Sequence, residues 1–241
     1  AGIVSTQDAE GLDPGLRRLQ SAHELGLRML GLTYNTQNLF GCGCTESLDA
    51  GLSDLGEALV ARMDELGIIV DTAHSGRRTT LEACARSERP VVASHTSAAG
   101  LYPHQRAKSD EELAAIAAGG GVIGVYAVPF FLTAHSSGTV ELVLDHIDYI
   151  AALVGWEHVA IGSDWPLPVD RGTLEQTFLR FAAEMGFREE HGLGTWNLEG
   201  FADYRDWPNL ARGLVARGYS DEQAAGILGE NFMRVFEAVC G

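Results

Sequence analysis

The chain has 241 residues, 46% apolar and 21% charged, a balance that is ordinary for a folded domain and excludes wholesale disorder. Its 33 acidic and 17 basic side chains leave a formal net charge of −16, which argues against binding to nucleic acid or anionic membranes. No apolar run approaches the ~20 residues of a membrane span, and no signal-peptide pattern is present, so we expect a cytoplasmic protein. Cys42 and Cys44 form a pair without a second pair to complete it, and we interpret them as incidental loop residues.

The predicted elements alternate between short apolar strands and amphipathic helices. Strands are predicted over 2–5, 27–34, 68–73, 90–94, 121–126 and 158–162. Helices are predicted over 14–25, 52–66, 79–87, 110–118, 140–154, 210–217, 221–228 and 230–239. Residues 172–208, rich in Trp and Gly, receive no predicted element. Strict alternation of this kind predicts a parallel sheet with helical crossovers.

Polar residues stand at or just past the carboxyl ends of the predicted strands, where the strands of a barrel converge on one mouth. These residues are Gln7, Tyr34, His74, His95, Tyr126 and Asp164. A doubly wound nucleotide-binding sheet is disfavoured because the glycines at 119–121 precede a strand instead of following one. We therefore predict a single α/β domain over residues 1–241, a (β/α)8 TIM-like barrel of which six strands are identified.

The two histidines at adjacent predicted strand ends carry the chemical prediction. His74 and His95 are separated by one short helix, and Asp164 follows another strand. Imidazole and carboxylate groups brought together in this way suit a divalent metal that activates water. A lone histidine at a strand end is more often structural, but the pair with a carboxylate favours a metal site. Asp71, inside an apolar strand, is interpreted as support for a neighbouring ligand.

Several runs match one known family along essentially the whole chain. They are Leu-Thr-Tyr-Asn at 32–35, Gly-Leu-Ser at 51–53, Val-Asp-Thr-Ala-His-Ser at 70–75, Pro-Val-Val-Ala-Ser-His-Thr-Ser at 90–97, Ile-Gly-Ser-Asp at 161–164 and Gly-Glu-Asn-Phe-Met-Arg-Val-Phe at 229–236. On these runs, and on the spacing from His74 to His95, the chain resembles the membrane (renal) dipeptidase family. The resemblance implies a (β/α)8 barrel of the metallo-dependent hydrolase type, with two zinc ions that hydrolyse dipeptides.

The resemblance also implies roles for individual residues. His74 and His95 would be ligands of the second zinc. Asp164 would bind the amino group of the substrate and handle protons, and Arg106 would hold its terminal carboxylate as a bidentate fork. Tyr34 stands where the family has a histidine that polarises the substrate, so we expect it to contact the substrate.

Three departures from the family pattern bear on the metal site. The first two strands, which carry a His-x-Asp ligand pair, are not found in this sequence, and the His146-Ile147-Asp148 triplet lies in a predicted helix where it cannot chelate. Gln7 aligns with the glutamate that bridges the two zinc ions; an alignment shifted by three residues would place Glu10 there instead. A neutral amide is a poor bridge between two dications, so we expect one zinc ion in preference to two, with none as an alternative.

These observations support two principal hypotheses. The first is a metal-dependent hydrolase that cleaves dipeptides or a related small amide by metal-activated water. The alternative is a degenerate, non-catalytic barrel that binds a small ligand or partner. A third possibility is that the first two strands are cleaved, or supplied by another polypeptide. Because many family members are dimers, the resemblance also implies a possible homodimer.

Overall fold

The computed structural model describes residues 2–135, 138–165, 171–188, 193–194 and 198–241. Six strands form two parallel three-stranded sheets, ordered β1-β2-β3 and β4-β5-β7. Their bounds are β1 (Val4–Thr6), β2 (Leu27–Gly31), β3 (Ile69–Asp71), β4 (Ala93–Thr96), β5 (Ile123–Val125) and β7 (Val159–Ile161). A separate pair joins β6 (Gly138–Thr139) to β8 (Leu198–Glu199). The predicted parallel α/β architecture is confirmed.

The two sheets meet at the ends of β3 and β4. Asp71 and Val92 form a parallel bridge, in which the N–H of Val92 donates to the Val70 carbonyl at 2.9 Å. The N–H of Thr72 in turn donates to the Val92 carbonyl at 2.8 Å. The six strands therefore lie side by side in the same order as in the chain, without the reversal of strand order that defines a doubly wound sheet.

Ten helices are present in the described part of the chain, and several of them pack against these strands. Their bounds are α1 (Arg17–Glu24), α2 (Asp54–Leu66), α3 (Arg77–Arg86), α4 (Asp110–Ala118), α5 (Pro129–Leu132), α6 (Val140–Val154), α7 (Arg171–Phe181), α8 (Trp207–Ala216), α9 (Asp221–Ala225) and α10 (Asn231–Cys240). Helices α4 and α6 have the predicted bounds, and the side chains of Ser109 and Thr139 cap their N-termini. Over the described ranges, no helix is long and apolar enough to cross a membrane.

The absence of a predicted element over 172–208 was wrong for the described part of that range; residues 189–192 and 195–197 lie outside the described residues. Helix α7 and strand β8 both fall within or overlap that range, and α8 begins at Trp207. Helix α7 has no acidic residue in its first turn, so the usual N-terminal signal is missing. Phe178 is instead packed against Phe130 and Phe187, which are contacts that only the tertiary structure supplies.

Two glycines allow β5 and β7 to approach the strand that carries His95. A Cβ on Gly124 would lie 2.0 Å from the Ser94 carbonyl oxygen, and one on Gly162 would lie 1.8 Å from the same atom. A Cβ on Gly162 would also lie 3.0 Å from the Cα of His95. Any side chain at these positions would therefore push β4 and its histidine away from the neighbouring strands.

We predict that Gly162→Ala destabilises the protein by about 1–3 kcal/mol, because the added methyl overpacks a rigid backbone contact. Chemical denaturation measures this change in the free energy of unfolding. Gly119→Ala is the matched control, since its Cβ would meet only atoms at 3.6 Å or more and its φ is −80°. Equal stability of the two variants would contradict the prediction.

Candidate functional site

The two histidines converge at the junction between the sheets. His74 follows β3 by three residues, whereas His95 is the third residue of β4 and not, as predicted, the residue after the strand. Both side chains are buried, and their Nε2 atoms face each other at 2.8 Å. The rings meet edge to face, with centroids 4.8 Å apart. The structure thus brings together the two residues on which the metal prediction rests.

Each imidazole makes a hydrogen bond through its Nδ1 atom, while its Nε2 atom faces the other ring. His74 Nδ1 lies 2.7 Å from the side-chain oxygen of Asn35. His95 Nδ1 lies 2.8 Å from the Ser94 hydroxyl, which donates to the Asp71 carboxylate at 2.5 Å. The Asn35 oxygen can only accept, and the Ser94 proton is committed to Asp71, so both imidazoles carry their proton on Nδ1. Both Nε2 atoms consequently present lone pairs to each other.

The Asp71 carboxylate also ties the two strands together. Its Oδ1 atom accepts from the backbone N–H of Ala73 at 3.0 Å and from that of Ser94 at 2.9 Å. Burial raises the pKa of Asp71, while the bonds from Ser94 and Ala73 and the charge of Arg106 favour its ionised form. These contacts agree with the interpretation of Asp71 as support for a neighbouring ligand.

The histidine pair fits a cation. Burial holds the pKa values of His74 and His95 well below 6.5, and the positive charge of Arg106 lowers both further, so both rings stay neutral. Two neutral acceptors facing each other at 2.8 Å repel unless an electrophile lies between or beside them. Neutral imidazole nitrogens backed by hydrogen-bond acceptors are the donor set that zinc and similar divalent metals prefer.

Arg106 is almost fully buried beside the pair. Its guanidinium donates to the Ala73 carbonyl, lies 3.3 Å from His74 Nε2 and 3.9 Å from Cys44 Sγ. It also lies over the ring of Phe131, at 5.9 Å from the centroid. A permanent positive charge is therefore held next to the lone pairs, in position to attract an anionic group.

Asp164 lies close to His95 of the pair. Its Oδ1 atom is 3.9 Å from His95 Nε2, and its side chain is 24% exposed. Its φ of 57° is a left-handed conformation that is uncommon for residues other than glycine. Burial raises the pKa of this carboxyl to about 6, with the charge of Arg106 opposing the rise and that of Asp71 adding to it.

The remaining predicted residues divide into one that joins the site and two that do not. Tyr34 stacks on His74, with centroids 4.1 Å apart and planes inclined by 24°. Gln7 and Glu10 are exposed, and the hydrogen bonds and ion pair described for the two histidines involve neither of them. Within the same part of the chain, no three His, Cys, Asp or Glu side chains are grouped to hold an ion. Neither proposed carboxylate or amide ligand therefore gains support from the geometry.

His146 has the structural role that the sequence indicated. Its Nδ1 accepts from the N–H of Ala98 and its Nε2 donates to the carbonyl of Leu132, each at 3.1 Å. Asp148 instead binds Arg217 and Tyr219. The His-x-Asp triplet in α6 thus points its two polar side chains to different partners.

Four contributors were missed from the sequence: Asn35, Cys44, Ser94 and Met185. Asn35 and Ser94 each directly adjoin a predicted site residue, a signal that could have found them. Cys44 belongs to a pair that we interpreted as incidental, yet its sulfur lies against Arg106 and 3.5 Å from Asn35 Oδ1. Met185 is 150 residues from Asn35 in the chain, so nothing local could have indicated their contact.

The fold and the site define a parallel α/β protein with polar groups gathered at the carboxyl ends of its strands, where α/β enzymes build their active sites. The chain belongs to the membrane dipeptidase family, peptidase family M19, whose sequence profile matches residues 1–176. The family resemblance predicted from the motifs is thereby confirmed. This is a family of metallopeptidases.

Individual relatives agree with this assignment. The dipeptidase aclJ of Aspergillus oryzae is 30% identical over 221 residues, which are 90% of this chain and 46% of the relative. A solved amidohydrolase from Pseudomonas aeruginosa is 31% identical with a TM-score of 0.84, over 98% of this chain and 71% of that one. A solved metallopeptidase from Rhodobacter sphaeroides, bound to a phosphinate mimic of the dipeptide L-Ala-D-Ala, is 26% identical with a TM-score of 0.80. The match covers 99% of this chain and 63% of that one. The chain spans about half the length of the curated relatives it matches.

We predict that the metal-free protein loses stability as the pH falls below about 6.5, the usual histidine pKa. Histidines then take up protons in the unfolded chain, while His74 and His95 stay neutral in the folded one, so acid favours unfolding. Each histidine contributes a slope of about 1.4 kcal/mol per pH unit between 6.5 and its depressed folded pKa. Denaturation curves from pH 7 to 5 measure the slope.

His95→Asn should reduce this slope by the contribution of one histidine, about 1.4 kcal/mol per pH unit. His135→Asn is the control, because His135 is exposed. A slope that His95→Asn leaves unchanged would show that this ring also protonates in the folded protein.

Proposed function

We propose that the chain is a metal-dependent hydrolase that cleaves dipeptides or a related small amide, built on a (β/α)8 barrel of which the six parallel strands form the main part of the wall. The observation that carries the proposal is the pair of buried, neutral imidazoles whose lone pairs face each other at 2.8 Å. Membership in the metallopeptidase family supports the same activity. The relatives named as dipeptidases and the phosphinate-bound metallopeptidase support a dipeptide substrate.

His74 and His95 would hold a single zinc ion; the alignment with the family, and not the geometry, supports Gln7, or Glu10 in its place, as a further ligand. The ion, when bound, would supply Lewis-acid activation of water and of the scissile carbonyl. Asn35 and Ser94 keep the two rings oriented toward it by accepting their Nδ1 protons. One ion is proposed in preference to two because the described residues offer one pair of converging donors.

Three other residues would handle the substrate. Arg106 would bind its terminal carboxylate, since the guanidinium is a buried fork of donors beside the histidines. Asp164 would bind the substrate ammonium and pass a proton to the leaving amine, a role that suits a carboxyl whose pKa is raised to about 6. Tyr34, stacked on His74, would line the same space.

One observation favours the alternative of a degenerate, ligand-binding barrel. Arg106 lies within 3.3 Å of His74 Nε2 and so already offers a positive group to one of the two lone pairs. If that bond replaced a metal, the purified protein would bind small anions but no zinc. Metal analysis of the purified chain therefore separates the two functions.

We predict that the purified protein binds zinc and that His74→Asn abolishes the binding. Ser94→Ala should weaken zinc affinity about 10–100-fold, because His95 then loses the acceptor that fixes its proton on Nδ1. Competition with a chromophoric chelator measures the affinity. His135→Asn should leave it unchanged, and a wild-type chain that takes up no zinc would refute the metal-dependent function.

We predict that the zinc-loaded chain hydrolyses members of a dipeptide panel and that two substitutions affect it differently. Arg106→Lys should mainly raise KM, because a single ammonium replaces a bidentate clamp. Asp164→Asn should mainly lower kcat, by about 10²–10⁴-fold, because the amide cannot transfer the proton.

Dipeptide amides are the control substrates for this pair of variants. They lack the terminal carboxylate, so Arg106→Lys and wild type should have similar KM values for them. The kcat of Asp164→Asn should still be lowered. An Arg106→Lys defect of the same size on both kinds of substrate would argue against carboxylate binding.

A further inference from the structure

The segment of residues 182–188, which follows α7, is packed against the loop that follows β2. Phe187 is buried and contacts the rings of Phe131 and Phe178, with centroids 5.7 and 5.6 Å away. The guanidinium of Arg188 donates to the Thr45 carbonyl at 2.8 Å. The segment is thus anchored at its carboxyl end by an aromatic contact and by a polar one.

Just before these anchors in the chain, Met185 contacts two residues of the site. Its carbonyl accepts from the side-chain amide nitrogen of Asn35 at 2.7 Å, and its sulfur lies 3.8 Å from the hydroxyl of Tyr34. A backbone carbonyl only accepts, so the Asn35 nitrogen must face Met185 and its oxygen must face His74. The thiol of Cys44, 3.5 Å from that oxygen, agrees with this orientation.

The orientation of this amide acts on His74 Nδ1, while the Arg106 guanidinium, 3.3 Å from Nε2, acts on the other nitrogen, and together they set which nitrogen of His74 carries the proton. With the oxygen facing Nδ1, the ring donates from Nδ1 and keeps a lone pair on Nε2. With the amide flipped, its NH2 group would face Nδ1, which would then have to accept. The ring proton would move to Nε2, into the space between the two histidines, and the lone pair would be lost.

We propose that the 182–188 segment is a positioning element for His74, which acts through the Met185 carbonyl and the Asn35 amide to keep the Nε2 lone pair directed at His95. Asn35 is accordingly a positioning residue. The use of that lone pair by a metal rests on the proposed function, but the control of the tautomer does not.

Gly186 offers a way to disturb the docking without touching the histidines. Its φ is +83°, and a Cβ there would lie 2.7 Å from Thr45 Oγ1 and 2.8 Å from Thr36 Cγ2. Gly186→Ala should therefore lift the segment from the loop. Gly218→Ala is the matched control, because Gly218 has a φ of +91° with no atom within 4 Å of a Cβ.

The test compares the ¹⁵N shifts of the imidazole nitrogens in the metal-free full chain at pH 7. Wild type and Gly218→Ala should show His74 protonated on Nδ1. Gly186→Ala should shift His74 toward the Nε2-protonated form and weaken zinc affinity at least 10-fold, while His95 keeps its tautomer. An unchanged His74 tautomer in a folded Gly186→Ala protein would overturn the proposal.

Two substitutions of Asn35 keep the test decisive if Gly186→Ala fails to fold. Asn35→Asp should preserve the Nδ1 proton, because a carboxylate accepts it in either orientation, whereas the isosteric Asn35→Leu should lose the preference. Equal tautomers in the two variants would overturn the proposal. A wild type that binds no zinc, but whose tautomer responds as expected, would refute the proposed function and leave the positioning role intact.

Discussion

The Asp71 carboxylate is the interaction on which the site depends. It ends β3, accepts the backbone N–H of Ala73 on its own side of the junction and that of Ser94 on the β4 side, and accepts the Ser94 hydroxyl that in turn holds His95. One buried charge therefore joins the two sheets and orients one imidazole. Burial opposes its ionisation, so the hydrogen bonds that compensate for burial are also those that define the site.

Around this junction the protein keeps opposite charges close together in a space from which water is largely excluded. Arg106 lowers the pKa of both histidines, while Asp164, near His95, retains a raised pKa of about 6. The neutral rings, the fixed cation and the carboxyl thus differ in charge at neutral pH. The neutral histidines can therefore bind a metal, the arginine can bind an anion, and the carboxyl can exchange protons.

Much of the fold followed from local patterns. The six parallel strands and the bounds of α4 and α6 were predictable, because apolar runs, capping serine or threonine and terminal glycine act over a few residues. Helix α7 was not, because Phe178 packs on aromatic residues distant in the chain. For the site, the strand-end pattern indicated His74, His95 and Asp164, whereas the offset of Arg106 and the place of Tyr34 came from the family motifs.

The sequence by itself determined the parallel α/β class, the family and the residue types available for chemistry, since these depend on periodicity and on short motifs. Only the tertiary structure decided how the histidines present their nitrogens. That outcome depends on Asn35, Ser94 and Asp71, and through Asn35 on the carbonyl of Met185, 150 residues away. Backbone carbonyls are the same in every sequence, so their partners emerge only when the chain is folded.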